Sequence, residues 1–155
     1  MDGDILNTVI CPWSSDGLYS DSIRGDVMQD RKSILIVDDD ELITGYLQTY
    51  LGEEGHVVSC CHNGIDALEL LKVQSFDIIV TDYHMPRMTG AEFTEQVRSR
   101  MVDSLIVGYS GHGMKNDFVK AGADFFLLKP FELSELLSLI KHRDLSKDRT
   151  SLSGG

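Results

Sequence analysis

The sequence predicts an α/β fold, a doubly wound five-stranded parallel sheet with five helices. Short apolar, β-branched segments such as Ile34–Val37 alternate with segments whose apolar residues follow helical spacing. The connections between the strands are too long for hairpins, which favours parallel strands joined by right-handed helical crossovers. Several strands are followed directly by charged or hydroxyl side chains, at the sheet edge where open α/β sheets bind ligands.

Composition divides the 155 residues into one domain and two tails. Closely spaced Gly, Ser and Asp without apolar periodicity predict that residues 1–32 are a disordered N-terminal tail. Residues 33–143 are predicted to form the domain, and residues 144–155 a flexible C-terminal tail. Met28 is a natural start for this domain, so the sequence leaves open whether residues 1–27 are translated.

Five apolar segments are predicted strands. Pro86 and Gly90 force a loop beyond the third, so this strand brings Asp82 to the carboxyl edge of the sheet. Gly108 interrupts the fourth strand, where a larger residue would pack better. The predicted strands are Ile34–Val37, His56–Cys60, Phe76–Thr81, Leu105–Tyr109 and Asp124–Leu128.

Five segments with helical spacing follow these strands. In the first, apolar residues from Ile43 to Tyr50 recur at i, i+3, i+4 and i+7, and the helix is expected to end near Gly52 or Gly55. Asn63 is the predicted cap of the second helix, and glycines and brevity make the fourth helix the least stable. The later helices are predicted at Glu92–Met101, at Lys115–Lys120 and from Leu133 to the cations at 141–143.

The charge balance excludes two classes of partner. With 25 acidic and 14 basic residues the net charge is −11, which argues against nucleic-acid and anionic-membrane surfaces, since both need clustered Lys and Arg. The apolar runs are far shorter than the ~18 residues of a membrane span, and the acidic start lacks the basic head of a signal peptide. The three cysteines show no disulfide framework or metal-ligand spacing. We therefore predict a cytoplasmic protein.

The polar residues at the strand ends define a candidate site. Asp38 and Asp39 follow the first strand, Asp82 the third, Ser110 the fourth and Lys129 the fifth. Carboxylates gathered at one edge repel one another unless a hard cation such as Mg²⁺, which prefers oxygen ligands, lies between them. A hydroxyl and an ammonium group can then hold phosphoryl oxygens while a carboxylate attacks phosphorus. These residues predict phosphoryl transfer with a phosphoaspartate product.

Four motifs lie at these strand ends: ILIVDDDE at 34–41, IVTDYHMPRMTG at 79–90, Ser110–Gly111 and KPF at 129–131. In this order and spacing they resemble the response regulator receiver domain of two-component signalling, of the single-domain, chemotaxis-regulator-like kind. One motif alone would be weak evidence, but four together are specific. The resemblance covers about residues 33–143 and implies a flavodoxin-like receiver fold.

The resemblance also implies a role for each acidic-site residue. Asp82 matches the phosphoacceptor, Asp39 the direct Mg²⁺ ligand, and Asp38 its partner that acts largely through water. His84 matches the position that lends a main-chain carbonyl to the metal, with its side chain near the phosphoryl site. The donor implied is a histidine kinase or a histidine phosphotransfer protein. The chain is then expected to be a signalling switch rather than an enzyme.

Three further positions match the signalling part of that family. Ser110 matches the hydroxyl that turns toward the phosphoryl group, Lys129 the cation that pairs with it, and Phe126 the aromatic residue that changes rotamer. The bond between Lys129 and the proline after it is cis in that family. Gly108 and Tyr109 depart from the family's usual apolar residues, a difference expected to affect the output face and not the chemistry.

Two other functions remain open from the sequence. Asp38 and Asp40 also match the nucleophile and acid of a haloacid-dehalogenase-like phosphatase, although Ser110 lies where such an enzyme needs an acidic pair. A receiver-like binding module that works without phosphorylation is the other alternative. The favoured interpretation is a stand-alone receiver, since no DNA-binding or catalytic domain follows residue 143. Output is then expected through contact with an unknown downstream protein.

Overall fold

The computed structural model describes residues 31–100 and 102–141, and within them five strands alternate with five helices. The strands are β1 Ser33–Val37, β2 Val57–Cys61, β3 Ile78–Asp82, β4 Leu105–Ser110 and β5 Phe125–Leu128. The helices are α1 Glu41–Glu53, α2 Gly64–Leu70, α3 Gly90–Ser99, α4 Lys115–Ala121 and α5 at residues 133–141. Apart from residues 31 and 32, the predicted tails lie outside the described residues and stay predictions.

The five strands are all parallel and lie in the order β2-β1-β3-β4-β5. From β1 the chain first adds β2 on one side and then crosses to build β3, β4 and β5 on the other. The strand order therefore reverses between β1 and β3, and open α/β sheets bind ligands outside the carboxyl ends of the strands at such a point. This topology confirms the predicted fold class and directs attention to the residues that end β1 and β3.

Alternate residues of the central strands face two separate cores. Ile34 and Ile36 pack on the side of α1 and α5, whereas Leu35 and Val37 pack on the side of α2 and α3. Every residue of β3 is buried, as expected for a strand that is covered on both faces. None of the helices in the described residues is both long and apolar enough to cross a membrane.

Several element boundaries differ from the predicted ones by one or two residues. β3 begins two residues later than predicted and ends on Asp82 itself. α3 begins at Gly90, two residues before the predicted start at Glu92, because Thr89 caps it. The Thr89 hydroxyl accepts from the Glu92 N–H at 3.1 Å, and the Glu92 carboxylate accepts from the Thr89 N–H at 2.8 Å. The predicted Asn63 cap of α2 is present.

Gly108 makes room for an aromatic ring, so the expectation that a larger residue would pack better there is wrong. A Cβ atom at this position would lie 2.5 Å from the ring of Phe118, which is fully buried. The Phe118 ring also lies 5.8 Å, centroid to centroid, from the rings of Tyr83 and Phe126. This single side chain therefore anchors the short helix α4 to the sheet.

Candidate functional site

The carboxyl edge of the sheet brings the predicted acidic residues together. Asp38, Asp39 and Asp82 each place one carboxylate oxygen so that the three atoms lie within 4.8 Å of one another. Asp38 and Asp39 directly follow β1, and Asp82 ends the neighbouring strand β3. Asp38 and Asp82 are buried, whereas Asp39 is exposed. The cluster can therefore be reached from solvent on the side of Asp39.

Lys129 brings a positive charge to this cluster. Its Nζ atom lies 3.3 Å from Oδ1 of Asp82 and 4.8 Å from the ring centroid of Tyr109. Its backbone N–H donates to the Ser110 carbonyl at 2.8 Å, so the ends of β4 and β5 are joined directly beside the site. The Lys129–Pro130 bond is cis, as the family resemblance implies.

Ser110 and Phe126 lie on the neighbouring strands β4 and β5, two register positions apart. Ser110 ends β4, is fully buried, and its Oγ accepts from the His112 N–H at 3.3 Å. Phe126 is half-buried and pairs in register with Gly108, two residues before Ser110. Its ring lies against Phe118. A movement of Phe126 would therefore change its contact with Phe118.

Two exposed imidazoles lie beyond the strand ends. His84 follows Asp82 by two residues, and His112 follows Ser110 by two. The His84 ring centroid lies 6.3 Å from that of His112 and 5.0 Å from that of Tyr83. Both imidazoles are therefore near each other and near the strand ends that carry Asp82 and Ser110, while the metal-ligand role of the His84 carbonyl stays a prediction.

The buried carboxyl groups are poorly compensated by the protein alone. Burial raises the pKa of Asp38, and the hydrogen bond from Tyr109 lowers it only in part. Burial likewise raises the pKa of Asp82, with Lys129 acting in the opposite direction. A divalent cation among these oxygens would favour their charged forms. Oxygen ligands suit Mg²⁺, so Asp38, Asp39 and Asp82 fit that ion.

Sequence reasoning missed the part that Tyr109 plays in this site. Tyr109 is fully buried, and its hydroxyl donates a short hydrogen bond to Oδ2 of Asp38. The other oxygen of Asp38, Oδ1, accepts from the Asp40 N–H at 2.9 Å. The departure at Tyr109, expected to affect the output face, therefore lies within the acidic cluster. The available signal was a long side chain with a polar tip, one residue before the end of a strand that borders the site.

Asp40 lies outside this cluster and has a structural role. Its side chain accepts from the backbone N–H groups of Leu42 at 3.0 Å and Ile43 at 3.4 Å, and so caps α1. A phosphatase would need the same carboxylate to exchange a proton with the leaving group. The cap therefore disfavours the phosphatase alternative.

The loop after Asp82 approaches the strand closely. The Gly90 N–H donates to the Tyr83 carbonyl at 2.9 Å, and the Tyr83 N–H donates to the Tyr109 carbonyl at 3.0 Å. A Cβ atom on Gly90 would lie 2.0 Å from the Asp82 carbonyl oxygen. Glycine is therefore required for α3 to begin this close to Asp82.

The parallel five-stranded sheet, with three acids and a lysine at its carboxyl edge, has the features expected of a domain that accepts phosphoryl groups. The chain belongs to the response regulator receiver domain family, whose model matches residues 34–141. Response regulator MprA of Mycobacterium ulcerans is 37% identical over 111 residues, which cover 70% of this chain and 48% of that protein. The chain thus spans about half the length of the curated relatives it matches.

Solved structures agree with this family. The chemotaxis response regulator CheY4 of Vibrio cholerae is 29% identical, with a TM-score of 0.66 over 72% of this chain and 97% of that one. The response regulator protein TrrA of Thermotoga maritima, in complex with Mg²⁺-BeF, is 29% identical, with a TM-score of 0.67 over 72% of this chain and 98% of that one. Receiver domains take phosphoryl groups from histidine kinases and bind Mg²⁺ at their acidic pocket, and the phosphatase alternative is not favoured.

Proposed function

We propose that Asp82 accepts a phosphoryl group from a histidine kinase or a histidine phosphotransfer protein, in a reaction that depends on Mg²⁺. We further propose that the phosphorylated chain signals through altered contacts with other proteins. The main support is one observation: three carboxylates lie within 4.8 Å of one another, and the Lys129 ammonium lies 3.3 Å from one oxygen of Asp82. These are the charges that phosphoryl transfer needs at one point.

Asp82 is the carboxylate best placed to act as the nucleophile. Both oxygens of Asp38 already accept hydrogen bonds from the protein, and Asp39 is exposed at the rim of the cluster. Asp82 lies between the ends of β1 and β4 and faces Lys129. Asp82 is thus buried and lies beside the Lys129 ammonium, and both features restrict the orientation of its carboxylate.

The reaction exchanges one bond to phosphorus for another. An Asp82 oxygen forms a bond to phosphorus while the bond from phosphorus to the donor's imidazole nitrogen breaks, and the electron pair leaves with that nitrogen. Mg²⁺, when held by Asp39 and Asp82 with Asp38 and the His84 carbonyl nearby, supplies positive charge that neutralises the phosphoryl oxygens. The Lys129 ammonium then pairs with a phosphoryl oxygen instead of the Asp82 carboxylate.

The signal is proposed to leave the site through Ser110. A phosphoryl group adds roughly −1.5 to −2 charges and new acceptor oxygens. When the Ser110 hydroxyl turns to donate to one of these oxygens, the hydrogen bond from the His112 N–H is lost and the start of the β4–α4 loop is released. Rearrangement of Phe118 and Phe126 then alters the surface formed by α4, β5 and α5, where a downstream protein would bind.

Mass spectrometry of the full chain with Mg²⁺ and a small acyl phosphate tests the acceptor assignment. We expect one added phosphoryl group that maps to Asp82 and that is lost with a chelator or in Asp82→Asn. Glu53→Gln is the matched control, since Glu53 is an exposed carboxylate at the far end of α1 and should leave the rate unchanged. A label on Asp38, or an Asp82→Asn protein that reacts at the wild-type rate, would refute the assignment.

A further inference from the structure

The Tyr109 side chain contacts two charged groups of the site at once. Its ring lies beneath the Lys129 ammonium at 4.8 Å, and its hydroxyl donates to Oδ2 of Asp38. Lys129 in turn reaches Asp82. Tyr109 is fully buried, so both contacts are shielded from solvent. Tyr109 therefore holds the positions of Asp38 and Lys129 relative to each other, on either side of Asp82.

Asp38 is the more restrained of the two. Its Oδ1 accepts from the Asp40 N–H at 2.9 Å, its Oδ2 accepts from Tyr109, and the residue is 1% exposed. Rotation of this carboxylate to present both oxygens to a cation would break a buried hydrogen bond to a charged group, which is unfavourable. Asp39, which is exposed, has more freedom to adjust to an ion.

A carboxylate that cannot rotate freely, such as that of Asp38, affects the binding of Mg²⁺ and of Ca²⁺ differently. Mg²⁺ keeps several of its waters and is bound through few carboxylates, whereas Ca²⁺ takes more oxygen ligands in flexible geometry. We propose that Tyr109 is a positioning residue that keeps Asp38 an indirect ligand, and that it thereby makes the site prefer Mg²⁺ to Ca²⁺. This inference rests on the proposed Mg²⁺-dependent function.

Tyr109→Phe tests the proposal, because it keeps the ring beneath Lys129 and removes only the hydroxyl. Loss of a group that orients a metal ligand changes metal affinity by roughly 10–100-fold. We expect Mg²⁺ to bind more weakly and Ca²⁺ to gain Asp38 as a direct ligand, so that the ratio of the Ca²⁺ Kd to the Mg²⁺ Kd falls about tenfold. Calorimetric titration of the full chain with each metal measures both constants.

Tyr46→Phe is the control, because Tyr46 lies on the exposed face of α1 and is 63% exposed. A purely structural role for Tyr109 would lower stability or weaken both metals alike, and an unchanged ratio would overturn the proposal. A wild-type protein that binds neither cation would overturn the proposed function as well. Binding of Mg²⁺ by the wild type with an unchanged ratio in Tyr109→Phe would overturn this inference alone.

A second measurement needs no variant. In wild-type protein with ¹³C-labelled tyrosine, the Tyr109 Cζ shift reports whether the hydroxyl still donates to Asp38. We expect this signature to persist at saturating Mg²⁺. A shift to the value of a released hydroxyl would mean that the cation displaces Tyr109 and binds Asp38 directly, which contradicts the proposal.

Discussion

The packing of Phe118 against Gly108 offers a quantitative test of how α4 is held beside the site. In Gly108→Ala the new Cβ atom would lie 2.5 Å from Cδ1 of Phe118 and 2.6 Å from its Cγ and Cε1. Ordinary contacts begin near 3.4 Å, so the ring must move by about 1 Å. It has little room to do so, because a Cβ atom on Gly90 would already lie 2.9 Å from Cζ of the same ring.

The expected size of the effect combines two opposing terms. Overpacking of a buried site costs about 1–3 kcal/mol. Replacement of glycine by alanine restricts the unfolded chain and returns about 0.4–1 kcal/mol. We therefore expect Gly108→Ala to lower the free energy of unfolding by about 1–2 kcal/mol. Urea unfolding followed by circular dichroism measures this difference.

A control and a compensating change make the test specific. Gly45→Ala adds the same methyl group within α1, where no atom beyond the helix's own backbone and the neighbouring residues lies within 4 Å, and should raise the free energy of unfolding by about 0.5–1 kcal/mol. Phe118→Leu should shorten the obstructing side chain, so that the double variant Gly108→Ala with Phe118→Leu is more stable than the two single effects predict. A stable Gly108→Ala protein, or strict additivity in this cycle, would refute the packing argument.

Three further predictions concern the acidic cluster and the switch. Asp39→Ala should weaken Mg²⁺ binding by more than about tenfold, since it removes an accessible carboxylate ligand; an unchanged titration would contradict the metal assignment. With Mg²⁺ and beryllofluoride as a phosphoryl mimic, NMR shift changes should concentrate at residues 108–131 and shrink in Ser110→Ala, and changes confined to the Asp82 loop would indicate another route. Burial raises the pKa of Asp82, so its ionisation costs stability above that pKa, and the cost disappears as the pH falls below the group's ordinary value. In a chelator, the melting temperature of the wild type should therefore rise relative to that of Asp82→Asn as the pH is lowered from neutrality towards the ordinary carboxyl pKa of 3.8.

The sequence predicts the fold class and the clustering of the candidate site residues because both depend on local patterns. Apolar β-branched runs define the strands, and the residues directly after them must lie at one edge when all strands are parallel. Asp38, Asp39, Asp82 and Lys129 are found together at that edge for this reason. Element ends were less predictable, because the start of α3 depends on a cap formed by Thr89 rather than on apolar spacing.

These local patterns do not predict which side chains of different helices and strands contact one another. A glycine in a strand weakens packing on average, but Gly108 lies opposite a ring that comes from α4. Whether such a ring exists depends on how the helix docks, and the helical spacing of Lys115–Ala121 does not state which strand residue each side chain will meet. Phe118 could therefore be predicted as a core residue but not as the partner of Gly108.

Strand register explains why the role of Tyr109 was hidden and how it arises. Asp82 pairs with Tyr109, and Val37 pairs with Thr81, so Asp38, Asp82 and Tyr109 occupy one row across β1, β3 and β4. Side chains in one row of a parallel sheet point to the same face, and β1 and β4 are separated by two strand spacings of about 4.8 Å each. A side chain on β4 must be long and end in a donor to reach Asp38 past β3. A tyrosine meets both conditions, so its presence in this row links Asp38 to β4, the same strand whose last residue, Ser110, is proposed to respond to phosphorylation.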